Sequence, residues 1–455
     1  MKILLFDCLD QSSEIETRYP SLGLAYLSGF LKAKLGPKNI QVKIAVDQLE
    51  KEITEFKPQI IGLRCVSQNF NRAKKAARLA KKHDLPVIVG GIHITALPET
   101  LTKDMNIAVL GEGEETFLKL IKTFLSRGKL PTNDLQKIPG IAYWHNGQFK
   151  INPPAPLINN LDQLPFPDRD LLKIRSHTYM FTSRGCPFNC SFCASTRFWQ
   201  KLRFFSAEYV AAEIEELIKK YSVRFISFYD DLFIADLARV EKLTSLLAKR
   251  RLLGKVKFSC NCRANLVTEQ SAKLMARLGI KSVGLGLESG DNKILHFLKG
   301  PNISVAQNSQ AIKILHRHNL VANASFIIGS PQETKEQILK TLTFIRQKDL
   351  DFIDTYLLTP FPSTPVWDYA QKRDLVGPGM NWDLLNVNFS AQPEKAIILS
   401  EKLSRSELRQ LYRLFQRQRL KIALKKFWKQ PYLMDLPDYF YHSLSGKVKQ
   451  WLGQS

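Results

Sequence analysis

Short apolar runs alternate with amphipathic segments through the first part of the chain. Continuous apolar runs predict buried strands, and apolar residues that recur every three or four positions predict helices. In chain order we predict strand 3–7, helix 21–35, strands 41–46 and 60–65, helix 71–82, strands 86–89 and 107–110, and a helix that ends at 124. Such alternation indicates a parallel, doubly wound sheet, so we predict an N-terminal α/β domain over residues 1–140.

A proline-rich stretch separates this domain from a second series of strands and helices. Prolines fix the backbone in extended form, and we assign residues 141–172 to a linker that contains Pro153, Pro154, Pro156, Pro165 and Pro167. The strands predicted after it are 179–183, 224–229, 257–263, 282–287, 322–328 and 352–358. Six strand–helix units predict a partial (β/α)6 barrel over residues 173–390, with its chemistry at the carboxyl ends of the strands.

Three closely spaced cysteines, Cys186, Cys190 and Cys193, carry the clearest chemistry in the sequence. Thiolates are the usual protein ligands of iron–sulfur clusters, and four normally complete a four-iron cube. A cube held by these three alone would keep one iron open to bind a substrate or a cofactor. Structural zinc is the alternative, but it needs four ligands and the triplet has no fourth Cys or His close by in the sequence.

The other four cysteines, Cys8, Cys65, Cys260 and Cys262, lie in apolar runs and are predicted to be buried, inert thiols. Seven cysteines in 455 residues is a sparse, odd number, which is typical of a reducing compartment and argues against a disulfide framework.

The spacing of the triplet, its Arg-Gly-Cys-Pro lead-in and Phe192 before the last cysteine resemble the radical S-adenosylmethionine (SAM) superfamily. The resemblance implies that the three thiolates hold a [4Fe–4S] cluster and that the amino and carboxylate groups of SAM chelate the open iron. It further implies one-electron cleavage of SAM to methionine and a 5′-deoxyadenosyl radical, with Phe192 against the adenine. The electron would come from an external donor such as flavodoxin or ferredoxin.

Several predicted strand ends match the motifs of the same family and suit the polar groups of SAM. Asp230 or Asp231 could accept hydrogen bonds from the ammonium, and Arg263 or Lys299 could pair with the carboxylate. The motif Glu288-Ser289-Gly is expected to bind the ribose hydroxyls through Glu288, and Gly329 would let the adenine approach the backbone. The alternative for Asp230 and Asp231 is that they cap the following helix.

The N-terminal domain resembles the Rossmann-like cobalamin-binding domain that precedes the barrel in one large subfamily. The matching stretches are Pro20-Ser-Leu-Gly-Leu-Ala-Tyr26, Val89-Gly-Gly-Ile-His93 and Gly111-Glu-Gly-Glu-Glu115. The resemblance implies cobalamin contacts at Gly90, Gly91, Gly111 and Glu112, although Gly90 and Gly91 could equally serve a plain tight turn. The motif that supplies a cobalt-ligating His is absent after the first strand, and His93 is interpreted as a polar loop residue.

The formal net charge of +24 is spread along the chain, with a concentration near the C-terminus, where residues 402–429 contain ten Lys or Arg and one acid, Glu407. Apolar residues recur there at helical spacing, so we predict a basic amphipathic helical region over residues 391–455 with an aromatic tail. Its apolar stripe could pack on the barrel, or the segment could lie on an anionic membrane surface. Nucleic acid is a third option. RNA-modifying methylthiotransferases of the radical SAM superfamily usually carry three more cysteines in the N-terminal region, and their absence here argues against that assignment.

No apolar run is long enough to span a membrane, so we expect a cytoplasmic protein, with peripheral membrane contact as an alternative. The resemblance implies a cobalamin-dependent radical SAM enzyme, with methyl transfer to an unactivated carbon as the predicted reaction and oxidative cyclisation or rearrangement as the first alternative. A basic nucleic-acid- or membrane-binding protein with a structural cluster is the alternative of another class. We expect a small-molecule substrate with hydrophobic character, but no motif identifies it or a catalytic acid or base.

Overall fold

The computed structural model describes residues 1–11, 20–385, 389 and 393–426. The strands of its N-terminal part are β1 (Lys2–Asp7), β2 (Gln41–Ala45), β3 (Ile60–Arg64), β4 (Val87–Gly90), β5 (Ile107–Val109), β6 (Ile141–His145) and β7 (Gln148–Ile151). Its helices are α1 (Leu22–Leu35), α2 (Leu49–Phe56), α3 (Phe70–Lys82), α4 (Ile92–Ala96), α5 (Glu114–Arg127) and α6 (Thr132–Leu135). The seven strands form one sheet in the order β2-β1-β3-β4-β5-β6-β7.

The first five strands of this sheet are parallel, as predicted, and β6 and β7 continue it as an antiparallel hairpin. The expectation that residues 141–151 belong to the linker is therefore wrong. Asn146 and Gly147 both have positive φ at the turn, at 48° and 75°. An Asn-Gly pair between apolar residues is a strong hairpin signal, and it was present in the sequence.

The second part of the chain contains β8 (His177–Met180), β9 (Ser183–Arg184), β10 (Arg203–Phe204), β11 (Phe225–Phe228), β12 (Lys257–Cys262), β13 (Ile280–Glu288), β14 (Val321–Ile328) and β15 (Phe352–Leu357). Its helices are α7 (Ser195–Trp199), α8 (Ala207–Tyr221), α9 (Leu237–Lys249), α10 (Glu269–Leu278), α11 (Asn292–Lys299), α12 (Val305–Arg317), α13 (Lys335–Gln347), α14 (Pro365–Gln371) and α15 (Arg405–Lys425).

Six of these strands form a parallel sheet in the order β15-β14-β13-β12-β11-β8, which confirms the predicted partial barrel. Strands β9 and β10 form a separate antiparallel pair beside it. Local sequence signals start the helices, since Thr268, Ser304 and Thr334 each form a capping box at the N-terminus of α10, α12 and α13. Strand β11 is buried along its whole length, as expected for a central parallel strand.

The segment between the two sheets is held on both sides. The Asp168 carboxylate accepts a hydrogen bond from Ser28 at 2.7 Å and pairs with Lys32 at 2.5 Å, both on α1. The next residue, Arg169, pairs with Glu213 on α8 at 2.6 Å, and both side chains have no exposed surface. The predicted boundary at residue 140 falls inside the N-terminal sheet, whereas the one at residue 172 stays a prediction. The segment between the sheets is fixed to both of them by these contacts.

The chain returns to the N-terminal part after α14. The Trp382 indole packs against the rings of Phe70 and His93, with centroid distances of 6.0 and 4.4 Å. Helix α15 then packs on β15, burying Leu408, Leu411, Tyr412, Phe415 and Ile422. Its basic face is left to solvent, while the predicted aromatic tail beyond residue 426 lies outside the described residues. Every helix within the described ranges is too short or too polar to cross a membrane.

Candidate functional site

The three cysteines lie on one loop between β9 and α7, and hydrogen bonds to backbone carbonyls hold that loop in shape. Arg197 donates from Nη1 to the carbonyl of Cys193 at 2.8 Å, and Thr196 donates to the carbonyl of Phe188 at 2.6 Å. On the other side, the Ser191 amide donates to the carbonyl of Leu298 at 2.8 Å. The loop is thus tied to both α7 and α11.

All three cysteines are free and partly exposed, in contrast to the buried Cys8, Cys65, Cys260 and Cys262. Burial, and after it the nearby charge of Asp231, raises the pKa of Cys186 and raises that of Cys193 to about 11. Both are therefore protonated without metal, and a metal centre must displace their protons. In the described part of the chain no three His, Cys, Asp or Glu side chains converge on a single ion. A cube presents a different iron to each thiolate, so its three cysteines need not converge.

Arg263, at the carboxyl end of β12, lies directly against this loop. Its Nη1 is 3.6 Å from the Cys190 Sγ, its guanidinium lies 4.1 Å from the centroid of the Phe188 ring, and its Nη2 donates to the carbonyl of Lys299 at 2.9 Å. A fixed cation beside the thiolates offsets the negative charge of a cluster. The sequence did not single out Arg197 or Phe188, because their roles depend on the loop's three-dimensional path.

The structure separates the roles of the two adjacent aspartates. Asp230 is buried and accepts hydrogen bonds from the amides of Thr182 and Ser183 at 2.6 and 3.1 Å. Its carboxylate is therefore used to hold the segment before β9. Asp231 is exposed and accepts a hydrogen bond from Ser195, at the start of α7 beside the cysteine loop.

Glu288 and Lys299 form a buried pair near the loop, with Oε1 and Nζ 3.5 Å apart. Glu288 has a positive φ of 61°, uncommon for a residue with a side chain, and burial raises the pKa of its carboxyl. Ser289 is buried against Thr341, with 3.2 Å between the two hydroxyl oxygens, and its predicted contact with SAM stays a prediction. Gly329 lies in the turn after β14, where its amide donates to Glu333 at 2.8 Å.

The carboxyl edge of the N-terminal sheet faces the barrel. Asp7, at the end of β1, is buried between Ser21 and Arg64, and its Oδ2 is 2.7 Å from Nη1 of Arg64. The Tyr179 hydroxyl, on β8 of the barrel, donates to the carbonyl of Pro20 at 2.7 Å and accepts from the amide of Leu22 at 3.2 Å. The carboxyl edge of the N-terminal sheet and strand β8 of the barrel therefore meet in one interface.

Three glycines at the carboxyl edge of the N-terminal sheet, Gly90, Gly91 and Gly111, differ in their surroundings. A Cβ on Gly91 would lie 2.4 Å from the carbonyl oxygen of Cys65, and the φ of Gly91 is 112°, so close packing of β3 and β4 already requires glycine. Gly90 lies beside Val109. A Cβ on Gly111 would meet open space, which leaves this turn accessible to a ligand. The predicted cobalamin contacts of the three glycines stay predictions.

Glu112 lies between the two parts of the chain. Its Oε1 is 2.5 Å from Nη1 of Arg184 and its Oε2 is 2.8 Å from Nη1 of Arg203. Although burial raises the pKa of Glu112, hydrogen bonds from Arg203 and the charge of Arg184 bring it below the ordinary value. Both oxygens are already engaged, so the predicted cobalamin contact of this carboxylate stays a prediction without support from its geometry.

His93 is buried and bonded at both ring nitrogens. Its Nδ1 lies 3.2 Å from the Ser67 hydroxyl, its Nε2 lies 3.1 Å from the Thr100 hydroxyl, and its ring packs 3.9 Å from the centroid of Phe70. Burial, together with the charge of Lys74, lowers the pKa of His93 to about 3. An imidazole enclosed in this way supports the structure of the domain and is not presented to a cobalt ion at the sheet edge.

We expect the burial of neutral His93 to lower the free energy of unfolding of the N-terminal domain as the pH falls. The unfolded chain binds a proton at His93 below pH about 6.5 whereas the native domain does not, so stability is full above that value and decreases below it, by about 1.4 kcal/mol per pH unit. His93→Gln keeps two polar ends but cannot titrate. Urea unfolding of the metal-free protein between pH 4.5 and 7.5 should therefore show a shallower pH dependence for this variant, and parallel curves for the two proteins would contradict the assignment.

Two family models match these two parts of the chain. The model of the radical SAM superfamily matches residues 180–345, and that of the B12 binding domain matches residues 12–121. The fold and the cysteine loop thus define a radical SAM enzyme with an N-terminal B12-binding domain.

Relatives agree with this class, and a solved structure shares the fold. An uncharacterized methyltransferase of Pyrococcus horikoshii is 34% identical over 84% of this chain and 85% of the relative. The anaerobic magnesium-protoporphyrin IX monomethyl ester cyclase of Rubrivivax gelatinosus is 30% identical over 77% of this chain and 66% of the relative. The structure of the radical SAM methyltransferase TsrM from Kitasatospora setae, with cobalamin and a [4Fe–4S] cluster bound, has a TM-score of 0.67 and 18% identity, covering 82% of this chain and 75% of that one.

The chain belongs to the cobalamin-dependent radical SAM methyltransferase family. The cofactors of this family are a [4Fe–4S] cluster, SAM and cobalamin, the set that the sequence predicted. The donor set fits the cluster, because three accessible thiols share one loop with a cation beside them. The open turn at Gly111 fits a ligand at the sheet edge that needs no imidazole from the protein, whereas the Asp7 carboxylate beside it is enclosed by Ser21 and Arg64.

Proposed function

We propose that this enzyme transfers a methyl group to an unactivated carbon of a small molecule. The observation that carries the proposal is that the cysteine loop of the barrel and the carboxyl edge of the N-terminal sheet share one interface, through Tyr179 and Arg184. When bound, the cluster, SAM and cobalamin supply a carbon-centred radical and a transferable methyl group. The 34% identical methyltransferase of Pyrococcus horikoshii supports the same reaction class.

The residues of this chain bind and orient the cofactors. We assign Cys186, Cys190 and Cys193 to the cluster, with Arg263 as the cation beside it. Asp231 is the aspartate available to the SAM ammonium, because it is exposed beside the loop whereas Asp230 is enclosed. A charge-assisted hydrogen bond of this kind is stronger than a neutral one and would orient the amino group.

Four further residues are proposed around SAM. Glu288 and Lys299 are buried together close to the loop and offer one acceptor and one donor, suited to the ribose and carboxylate respectively. Phe192 is half-buried and lies between two of the proposed cluster ligands in the chain, and Gly329 turns the backbone at a strand end, so both are proposed for the adenine. Ser289 is omitted from this set because its hydroxyl is used within the fold.

Aromatic side chains favour a substrate with a hydrophobic portion. Tyr179, Phe181 and Tyr229 group at the barrel edge near Asp231, with ring centroids between 5.4 and 6.2 Å apart. Tyr229 is 48% exposed, so this group offers apolar surface on the side of the barrel where the cofactors are proposed. An external one-electron donor such as flavodoxin or ferredoxin is part of the proposal.

Peripheral membrane contact through the basic C-terminal segment stays a prediction. Leu420 and Leu424 are 60% and 71% exposed on α15, beside the basic residues Arg417, Lys421 and Lys425. Apolar side chains within a basic face are the composition of interfacial helices. Nucleic acid has no place in the proposed function.

Oxidative cyclisation is the second candidate, favoured by the 30% identity to the magnesium-protoporphyrin IX monomethyl ester cyclase. The two reactions differ in the fate of the SAM methyl group. Methyl transfer places it in the product, whereas cyclisation leaves it on methionine.

The test is an anaerobic turnover of reconstituted protein with SAM that carries a CD3 group, after cobalamin content has been measured. We expect near-stoichiometric cobalamin and a product heavier by one CD3 group, with a mixture of small hydrophobic metabolites as the substrate source. Stoichiometric cobalamin with SAM cleavage and unlabelled, dehydrogenated product would favour cyclisation. Failure to retain cobalamin in the presence of excess would overturn the methyl-transfer proposal.

A further inference from the structure

A buried ionic cluster joins the N-terminal sheet to the cysteine loop. Glu112 and Glu114 lie where β5 leads into α5, and Arg184 and Arg203 lie opposite each other on β9 and β10. Arg184 binds both acids, with Nη1 2.5 Å from Glu112 Oε1 and Nη2 2.5 Å from Glu114 Oε1. Arg203 is the fourth member of this ionic group, with its Nη1 2.8 Å from Glu112 Oε2. We call these four residues the interdomain clamp.

The clamp is almost fully removed from solvent, since its four side chains are between 4 and 8% exposed. Arg203 also donates to the carbonyl of Ile158, and the Ile158 amide donates to Glu112, so the linker is part of the same network. The Arg184 guanidinium lies between two rings, 5.7 Å from Tyr26 and 5.2 Å from Trp199. A buried guanidinium fork with two carboxylates accepts few alternative geometries.

Arg184 is next to the cluster-binding segment in the chain. Gly185 follows it with φ 95°, and a Cβ there would lie 2.6 Å from the carbonyl oxygen of Lys201. The chain between Arg184 and Cys186 therefore has little room to change its path. The residue held by the two glutamates is thus separated from the first cysteine by a single residue in a confined backbone path.

We propose that Glu112 and Glu114 are positioning residues that hold Arg184, and through it the cysteine loop, in register with the cobalamin-binding edge. The proposed chemistry needs the cluster and cobalamin at a fixed separation, and the clamp is an ionic connection between the β5–α5 turn and the strand that leads into the loop. Only the spectroscopic part of the test below rests on the proposed function.

The first measurement is hydrogen exchange in cluster-loaded protein, which needs neither cobalamin nor turnover. In the Glu112→Gln/Glu114→Gln variant we expect peptides spanning residues 183–200 to exchange at least about tenfold faster than in the native protein, because Arg184 loses both charged partners. Glu208→Gln is the matched control, since Glu208 pairs with Lys242 at 2.7 Å on the surface, away from the loop. Arg184→Lys, which keeps the charge but not the fork, serves if the double variant does not fold and should give a smaller increase.

The second measurement is the dipolar coupling between the reduced cluster and cob(II)alamin, obtained by pulsed EPR on the same holoenzymes. The native protein and Glu208→Gln should give one narrow distance distribution, and the clamp variants a broad or displaced one. A narrow, unchanged distribution in clamp variants that retain both cofactors overturns the proposal, as does an unchanged exchange rate in the loop. If no variant or native protein binds cobalamin, the methyl-transfer proposal fails and the exchange rates alone decide on the clamp.

Discussion

The Cys190→Ala variant is expected to lose the [4Fe–4S] cluster and, with it, all reductive cleavage of SAM. Only three thiols share the loop, so a cube in this variant would keep two protein ligands in place of three. The Arg263 guanidinium, 3.6 Å from the Cys190 Sγ in the native chain, would then face no thiolate at that position. The same result is expected for Cys186→Ala and Cys193→Ala.

Iron and sulfide content, the cluster absorbance and 5′-deoxyadenosine formation are the measurements. Cys260→Ala is the matched control, because Cys260 is buried on β12 with its Sγ 3.7 Å from the Met275 sulfur. It should retain both cluster and cleavage. Circular dichroism distinguishes loss of the cluster from loss of the fold, and cleavage that persists in a folded Cys190→Ala protein would refute the assignment of the loop as the cluster site.

The Glu213→Gln variant is expected to lower the free energy of unfolding by about 3–5 kcal/mol, because it leaves the Arg169 charge buried without its partner. Both side chains have no exposed surface, and the pair is 2.6 Å apart. Arg169 belongs to the linker and Glu213 to α8, so we also expect the linker to release from the barrel.

Urea unfolding of the metal-free protein, followed by tryptophan fluorescence, measures this loss. The double variant Arg169→Met/Glu213→Leu should recover most of it, since replacing a whole buried pair by apolar residues costs far less than removing one partner. Glu241→Gln, which breaks a surface contact of 3.8 Å with Arg277, should leave the unfolding midpoint nearly unchanged. An equal midpoint for Glu213→Gln and Glu241→Gln would mean that the buried pair does not stabilise the native state.

Much of the fold was predictable because its signals are local. Every predicted strand has a counterpart, since a buried parallel strand such as β11 is a continuous apolar run. The hairpin β6–β7 was not predicted, although the Asn146-Gly147 pair indicates one. The linker boundary was placed at residue 140, before the hairpin, because of the proline-rich stretch that follows it. Helix α15 packs its apolar stripe on β15, which was one of the three arrangements considered for this segment.

The site was predictable in part. The cysteine triplet could be recognised because its ligands lie within eight consecutive residues, and spacing alone places them on one loop. Asp230 and Asp231 could not be told apart, since only the path of the chain decides that one accepts the amides of Thr182 and Ser183 while the other reaches Ser195. Arg263 could be named as a candidate, but its contact with Cys190 depends on how β12 lies beside the loop.

The sequence by itself determined the two α/β units, the cluster-binding loop and the class of chemistry, because these depend on periodicity and on ligands that are neighbours in the chain. The tertiary structure decided which carboxylates remain accessible to a ligand. Glu112 looked like a ligand contact at a strand end, yet it is enclosed by Arg184 and Arg203, which lie 72 and 91 residues further along the chain. Ion pairs between distant segments form only when packing removes both partners from water, and no local pattern records which segments will meet.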